Sequence, residues 1–242
     1  MSLPDASLWL GWAQDLAPLL PVPDDLPALR RVGWALVLAA VVSLVAQWSA
    51  SRPVRAVLRP LAGVLALWAC VPGSWGLSYW LGLAFQTPSL MAIVLSLQVL
   101  GQSLAHGMRP HWALGSGDTS SRQRGACWSC RYALLGLVVG WLLLLDTFAY
   151  LPLSLYAWGF SPLALAMLWL LAMGPWVLGG RWSQAAPAPA LLVVLAWFAL
   201  TRWPTGNVWD ALLDPWLFLG LHLYLVVRYR ADRRDGRQLR AY

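Results

Sequence analysis

The chain has 242 residues, 60% of them hydrophobic and 11% charged, against roughly 25% charged in an ordinary soluble domain. Its formal net charge is +7, and every basic residue is Arg and every acidic residue Asp. A soluble fold cannot hide that much apolar surface. The absence of lysine excludes a retinal or pyridoxal Schiff base and a phosphate-loop lysine, and arginines placed beside apolar segments rather than in a basic domain argue against nucleic acid as a partner.

Residues 1–29 hold Asp5, Asp15, Asp24 and Asp25 and no basic residue, so they lack the positive start of a secretory signal and are expected to be a retained periplasmic tail. Within it Leu8, Trp9, Leu10, Trp12, Leu16, Leu19 and Leu20 predict a short interfacial helix broken at Pro18 and Pro21. Residues 30–228 predict an all-α, polytopic integral membrane helix bundle of about seven transmembrane helices, and 229–242 a basic cytosolic tail. The expected spans are 32–50, 61–85, 88–104, 132–151, 162–178, 190–201 and 212–227. The second is interrupted at Pro72 and Gly73, which leaves two versions open: a kinked span, or a span ending near Val71 followed by an interfacial segment. The sixth is short and is expected to recruit residues 186–189 and 202–203.

Basic loops stay cytosolic, and the arginines alternate accordingly. Fourteen of the seventeen fall between spans one and two, three and four, five and six, or in the tail, leaving Arg30, Arg31 and Arg202 on the other side. That asymmetry predicts an N-out, C-in protein in a bacterial-type inner membrane, with the lipid bilayer as its first partner. Trp75, Tyr79, Trp80, Tyr150, Tyr156, Trp158, Trp203, Trp209 and Trp216 collect at the proposed outer ends, where an aromatic ring meets both lipid and water. No internal repeat is visible, so nothing supports an inverted-repeat transporter.

The polar stretch 106–131, expected as a cytosolic loop, carries His106, His111, Cys127 and Cys130. Two imidazoles and two thiolates at these spacings would complete a zinc tetrahedron if the Gly/Ser stretch between them closed. The plainer expectation is no cofactor, with His106 ending span three and the thiols incidental to the start of span four. Cys70 reads as a packing residue, and disulfides are not expected on the reducing side.

Asp146, in the run 141–148, is the one carboxylate clearly within a predicted span, roughly 8 Å below its outer end at helical rise. An ionisable residue there is either functional or held by a local hydrogen bond. His222, near the middle of span seven with Asp214 two turns away, is a possible partner for a proton or cation relay, against the commoner case of a packed histidine. Bis-imidazole haem is disfavoured because His222 is central while His106 and His111 lie at or beyond the inner boundary. Gly136 and Gly140 form a G-x3-G expected to seat another helix, more plausibly within the bundle than in a dimer. Pro162 and Pro175 bracket span five as a start and an exit kink.

Without a nucleophile elbow, metalloprotease helix or nucleotide loop, the expected function is a noncatalytic membrane subunit or accessory protein of an envelope complex, with a membrane-protein partner. The alternative is a small-solute or ion transporter using Asp146 and His222, and after it an intramembrane or metal-dependent enzyme.

Overall fold

The computed structural model describes residues 20–21, 23–49, 51–108, 119–152, 154–177 and 187–238. Every regular element among them is helical: α1 (Leu26–Trp48), α2 (Arg52–Cys70), α3 (Leu77–Phe85), α4 (Leu90–Met108), α5 (Thr119–Thr147), α6 (Leu155–Trp158), α7 (Pro162–Val177), α8 (Pro187–Thr201), α9 (Val208–Leu212) and α10 (Pro215–Gln238), with short 3-10 turns at Pro23–Asp25 and Gly73–Trp75. Proline punctuates the starts. Pro27, Pro53, Pro162, Pro187 and Pro215 all stand in first turns, where the missing N–H has no partner to lose.

Three helical stretches are long and apolar enough to cross a membrane: Leu26–Gln47, Arg52–Cys70 and Cys130–Thr147. The apolar stretches Leu90–Ser103, Pro162–Gly174 and Ala188–Thr201 are shorter. Helix α1 packs along α2 and α4, α4 and α7 pack on α8, and α5 pairs with α10. The main core gathers Leu29, Leu90, Ile93, Leu195, Phe198 and Val208, and a second cluster sets Trp34 and Ala35 against Ala69. Gly33 lets α4 come close, since a Cβ there would lie 3.0 Å from Ile93 Cδ1.

Several expected boundaries are corrected. Of the two versions expected for 61–85, the helix ends near Val71 and does not continue as one kinked helix. Helix α2 starts at Arg52, carries Pro60 inside it, and ends at Cys70; after the turn at Pro72 and Gly73, α3 folds back against α1 and α2. At nine residues α3 is about 13 Å long, too short for a hydrocarbon core of about 30 Å. Arg52, Arg55 and Arg59 therefore ride on a helix and not on a loop. The polar loop 106–131 is likewise shortened, because α4 continues to Met108 and α5 already begins at Thr119, so that Cys127 and Cys130 are helical. Span four stops at Thr147 instead of 151: the bonds Tyr150 N to Leu145 O (3.0 Å) and Ala149 N to Asp146 O (2.9 Å), with Ala149 at φ 56°, close the helix in a left-handed cap. Arg202 and Trp203 do not extend span six, since Arg202 at φ 57° ends α8 in the same manner. The expected last span 212–227 is divided into α9 and α10 at Leu213 and Asp214, and α10 runs into the predicted tail as far as Gln238. The predicted interfacial helix, apart from Leu20 at its end, and His111 lie outside the described residues.

Candidate functional site

One end of the bundle holds a polar junction built from the α5–α6 turn, α9 and the starts of α4 and α10. Asn207 begins α9: its Oδ1 accepts from Trp209 N (2.9 Å), while its Nδ2 donates to Tyr156 O (2.9 Å). Its side chain is fully buried, and Gly159 makes room for it, because a Cβ at Gly159 would overlap Asn207 Oδ1. Val208 N donates to Gly159 O (3.0 Å) and Trp209 Nε1 to Leu155 O (2.9 Å), so α9 and the α6 turn are tied at backbone level. Asp210 Oδ2 accepts from Tyr156 Oη (2.8 Å) and Thr205 Oγ1 (2.5 Å). Loss of water around the Tyr156 ring, and then its bond to and repulsion by the Asp210 carboxylate, push that phenol up to about 12.

Asp214, 8% exposed, joins two helix starts. Its Oδ1 accepts from Leu217 N (2.6 Å) at the first turn of α10, and its Oδ2 accepts from Ser89 N (2.6 Å) just before α4. Ser89 in turn caps α4 through Oγ, which accepts from Ala92 N (3.1 Å). Beside this double cap Trp216 makes edge contacts with Trp34 (6.2 Å) and Phe85 (4.8 Å). A cleft of about 110 Å³ lies here, with Gln86, Thr87, Thr205, Asp210 and Asp214 among its lining residues. Both of its carboxylates already accept two hydrogen bonds, so the junction is organised to hold helices in place.

The other sequence-predicted residues are distributed as follows. Asp146 is in the last turn of α5, at the helix end and not well below it, and its Oδ2 accepts from Tyr156 N (2.7 Å). His222 lies between α10 and α5: its Nδ1 pairs with Phe218 O (2.9 Å), and its Nε2 accepts from Trp141 Nε1 (3.3 Å). That pair of bonds suits the neutral ring carrying its proton on Nδ1. Asp146 and His222 are thus on paired helices but each has its own partner, and neither lines the cleft. Asp214 is drawn to α4 and not toward His222. Gly136 and Gly140 face α10, where a Cβ would lie 3.0 Å from Leu221 Cδ1 in the first case and overlap the Phe218 ring in the second.

Of the four candidate zinc ligands, only Cys130 has a described side chain. It is a half-buried free thiol with Sγ 3.9 Å from Tyr224 Oη on α10. Among the described residues no three His, Cys or Asp side chains gather where a metal ion would sit.

The sequence reading missed Asp210, Thr205 and Asn207, and saw Tyr156 only as an interfacial ring. The signal was present in T-G-N-V-W-D at 205–210, where Asn before a helix and Asp in its first turn are the residue types that satisfy free N–H groups. The chain matches no family model, no curated protein and no solved structure.

Proposed function

We propose that this chain is a noncatalytic subunit or accessory protein of an envelope complex, embedded in a bacterial-type inner membrane by seven spans with its N-terminus outside and its C-terminus in the cytosol. The observation that carries the reading is the exposed side of α2, of whose span only 11% is buried in the protein. Val54, Val57, Leu61, Val64 and Trp68 are all exposed there at spacings of three and four, the pattern of a helix-packing seam. Ala56, Gly63 and Cys70 recur every seventh position as a second exposed column, about 100° round the helix from Val57 and Val64, and a Cβ built on Gly63 meets nothing within 4 Å. Lipid needs no such column of small residues, whereas a partner helix uses small residues to approach closely. The fourteen cytosolic-side arginines would supply the second docking surface.

The polar residues support the same reading. Asp146, Asp210, Asp214 and His222 all have hydrogen-bond partners that hold helix ends or helix pairs. Affinity purification from gently solubilised membranes, followed by mass measurement of the detergent complex, tests the assignment. A subunit copurifies with a stoichiometric membrane-protein partner; a stable monomer that yields no partner on crosslinking speaks against it.

A further inference from the structure

We propose that the cavity between the first turns of α1 and the α2–α3 turn binds a phosphate group, presented by a phospholipid headgroup or as free phosphate. The cavity holds about 220 Å³, and Arg30, Arg31, Gly73, Ser78 and Tyr79 are among its lining residues, none of which is acidic. The arginines are held differently. Arg31 is anchored by its Nε, which donates to Pro27 O (3.2 Å). Arg30 lies flat across Gly82, where a Cβ would stand 2.5 Å from its Cδ and 3.1 Å from Nε and Nη1, so a side chain at 82 would push Arg30 aside. Its Nε is buried and has no hydrogen-bond partner among the described residues.

An unpaired buried guanidinium donor is costly unless an acceptor arrives. Two cations in the opening turns of a helix also add to the positive end of its dipole, the end that favours an anion. Arginine forks match phosphate oxygens in pairs, and a planar guanidinium fixed in place loses little freedom on binding. Arg30 is the fifth residue of the Leu26–Gln47 apolar helix, about 6 Å from its start, which is headgroup depth if that helix spans the bilayer. Asp24 and Asp25, exposed on the preceding turn, are the internal anions that would compete.

The test uses the full chain in a neutral detergent, with native mass spectrometry and thermal unfolding as readouts. The probes are phosphatidylglycerol, diacylglycerol with the same tails, and inorganic phosphate. Phosphatidylglycerol should bind and raise the unfolding temperature while diacylglycerol does neither. Arg30→Gln should weaken binding about tenfold or more, the loss of one charge-assisted pair. Arg30→Lys, which keeps the charge but not the fork, should fall between, and Arg52→Gln should bind as the wild type does. Gly82→Ala supplies a second route, since it displaces Arg30 without removing it and should weaken binding as well. Displacement of the lipid by millimolar inorganic phosphate identifies free phosphate as a competent source; lipid binding that phosphate leaves untouched identifies the headgroup. Equal binding of phosphatidylglycerol and diacylglycerol, or affinity unchanged in both Arg30→Gln and Gly82→Ala, would overturn the proposal, as would binding that appears only once Asp24 and Asp25 are changed to Asn.

Discussion

Asp214 looks like a relay residue in the sequence because it precedes His222 by two helical turns, yet its carboxylate is used by two backbone N–H groups from different helices. Replacing it with Ala leaves the Ser89 and Leu217 donors without that acceptor, at about 1–3 kcal/mol for the buried Ser89 N–H and less for the half-buried Leu217 N–H. Asp214→Ala should therefore lower the unfolding midpoint in detergent sharply, and Asp214→Asn, which retains one carbonyl oxygen, by less. Asp24→Asn, at an exposed site, should leave it unchanged. Tyr156 offers a separate check through pH. Its phenol is raised from the ordinary 10.0 to about 12 in the folded protein, so the protonated form is favoured by folding. The contribution is complete below pH 10 and is lost as pH climbs through about 12. The stability difference between wild type and Tyr156→Phe should accordingly stay level up to pH 10 and shrink above it. A difference that stays constant to pH 12 would detach Tyr156 from Asp210.

At the scale of elements, what was legible followed from composition and proline. Apolar runs located the long helices, and Pro162 fell at the start expected for it, because helix length and the missing proline N–H are local properties, whereas Pro215, which opens α10, lay unmarked inside the expected span 212–227. The ends were less legible. Ala149 and Arg202 close helices at positive φ, where glycine is the usual signal, so nothing in the residue type marked the stop. Ala149→Gly should relieve that conformation and raise stability by about 1 kcal/mol in equilibrium unfolding. The junction was hidden for a different reason: Tyr156 and Asp210 are 54 residues apart and meet only through the packing of α6 on α9. Conversely, the G-x3-G of α5 was visible as a close-approach site, and the structure supplies its neighbour on α10. Gly140→Ala should perturb the α5–α10 pair more than Gly136→Ala, since it meets the Phe218 ring and Leu213 together while the latter meets only the end of Leu221. A disulfide trap across α5 and α10 would read the difference.

For the whole molecule, the helices divide into a packed group around α1, α4 and α8 and an α5–α10 pair. Asp214, Trp216 and the Tyr156–Asp210–Asn207 bonds join the two at one end. Fixing one end while leaving long apolar sides uncovered suits a protein whose remaining surfaces are covered by lipid and by another protein. The arginine distribution predicts a cytosolic C-terminus, so a cytosolic reporter fused at Asp235 should be active and a periplasmic one silent. The most direct measurement is photocrosslinking in intact cells from a reactive residue placed at Leu67, 72% exposed on α2, with Phe198 in the closed core as the control position. A docked subunit yields one discrete protein adduct from Leu67 and none from Phe198. Adducts from Leu67 to lipid alone would contradict the assignment.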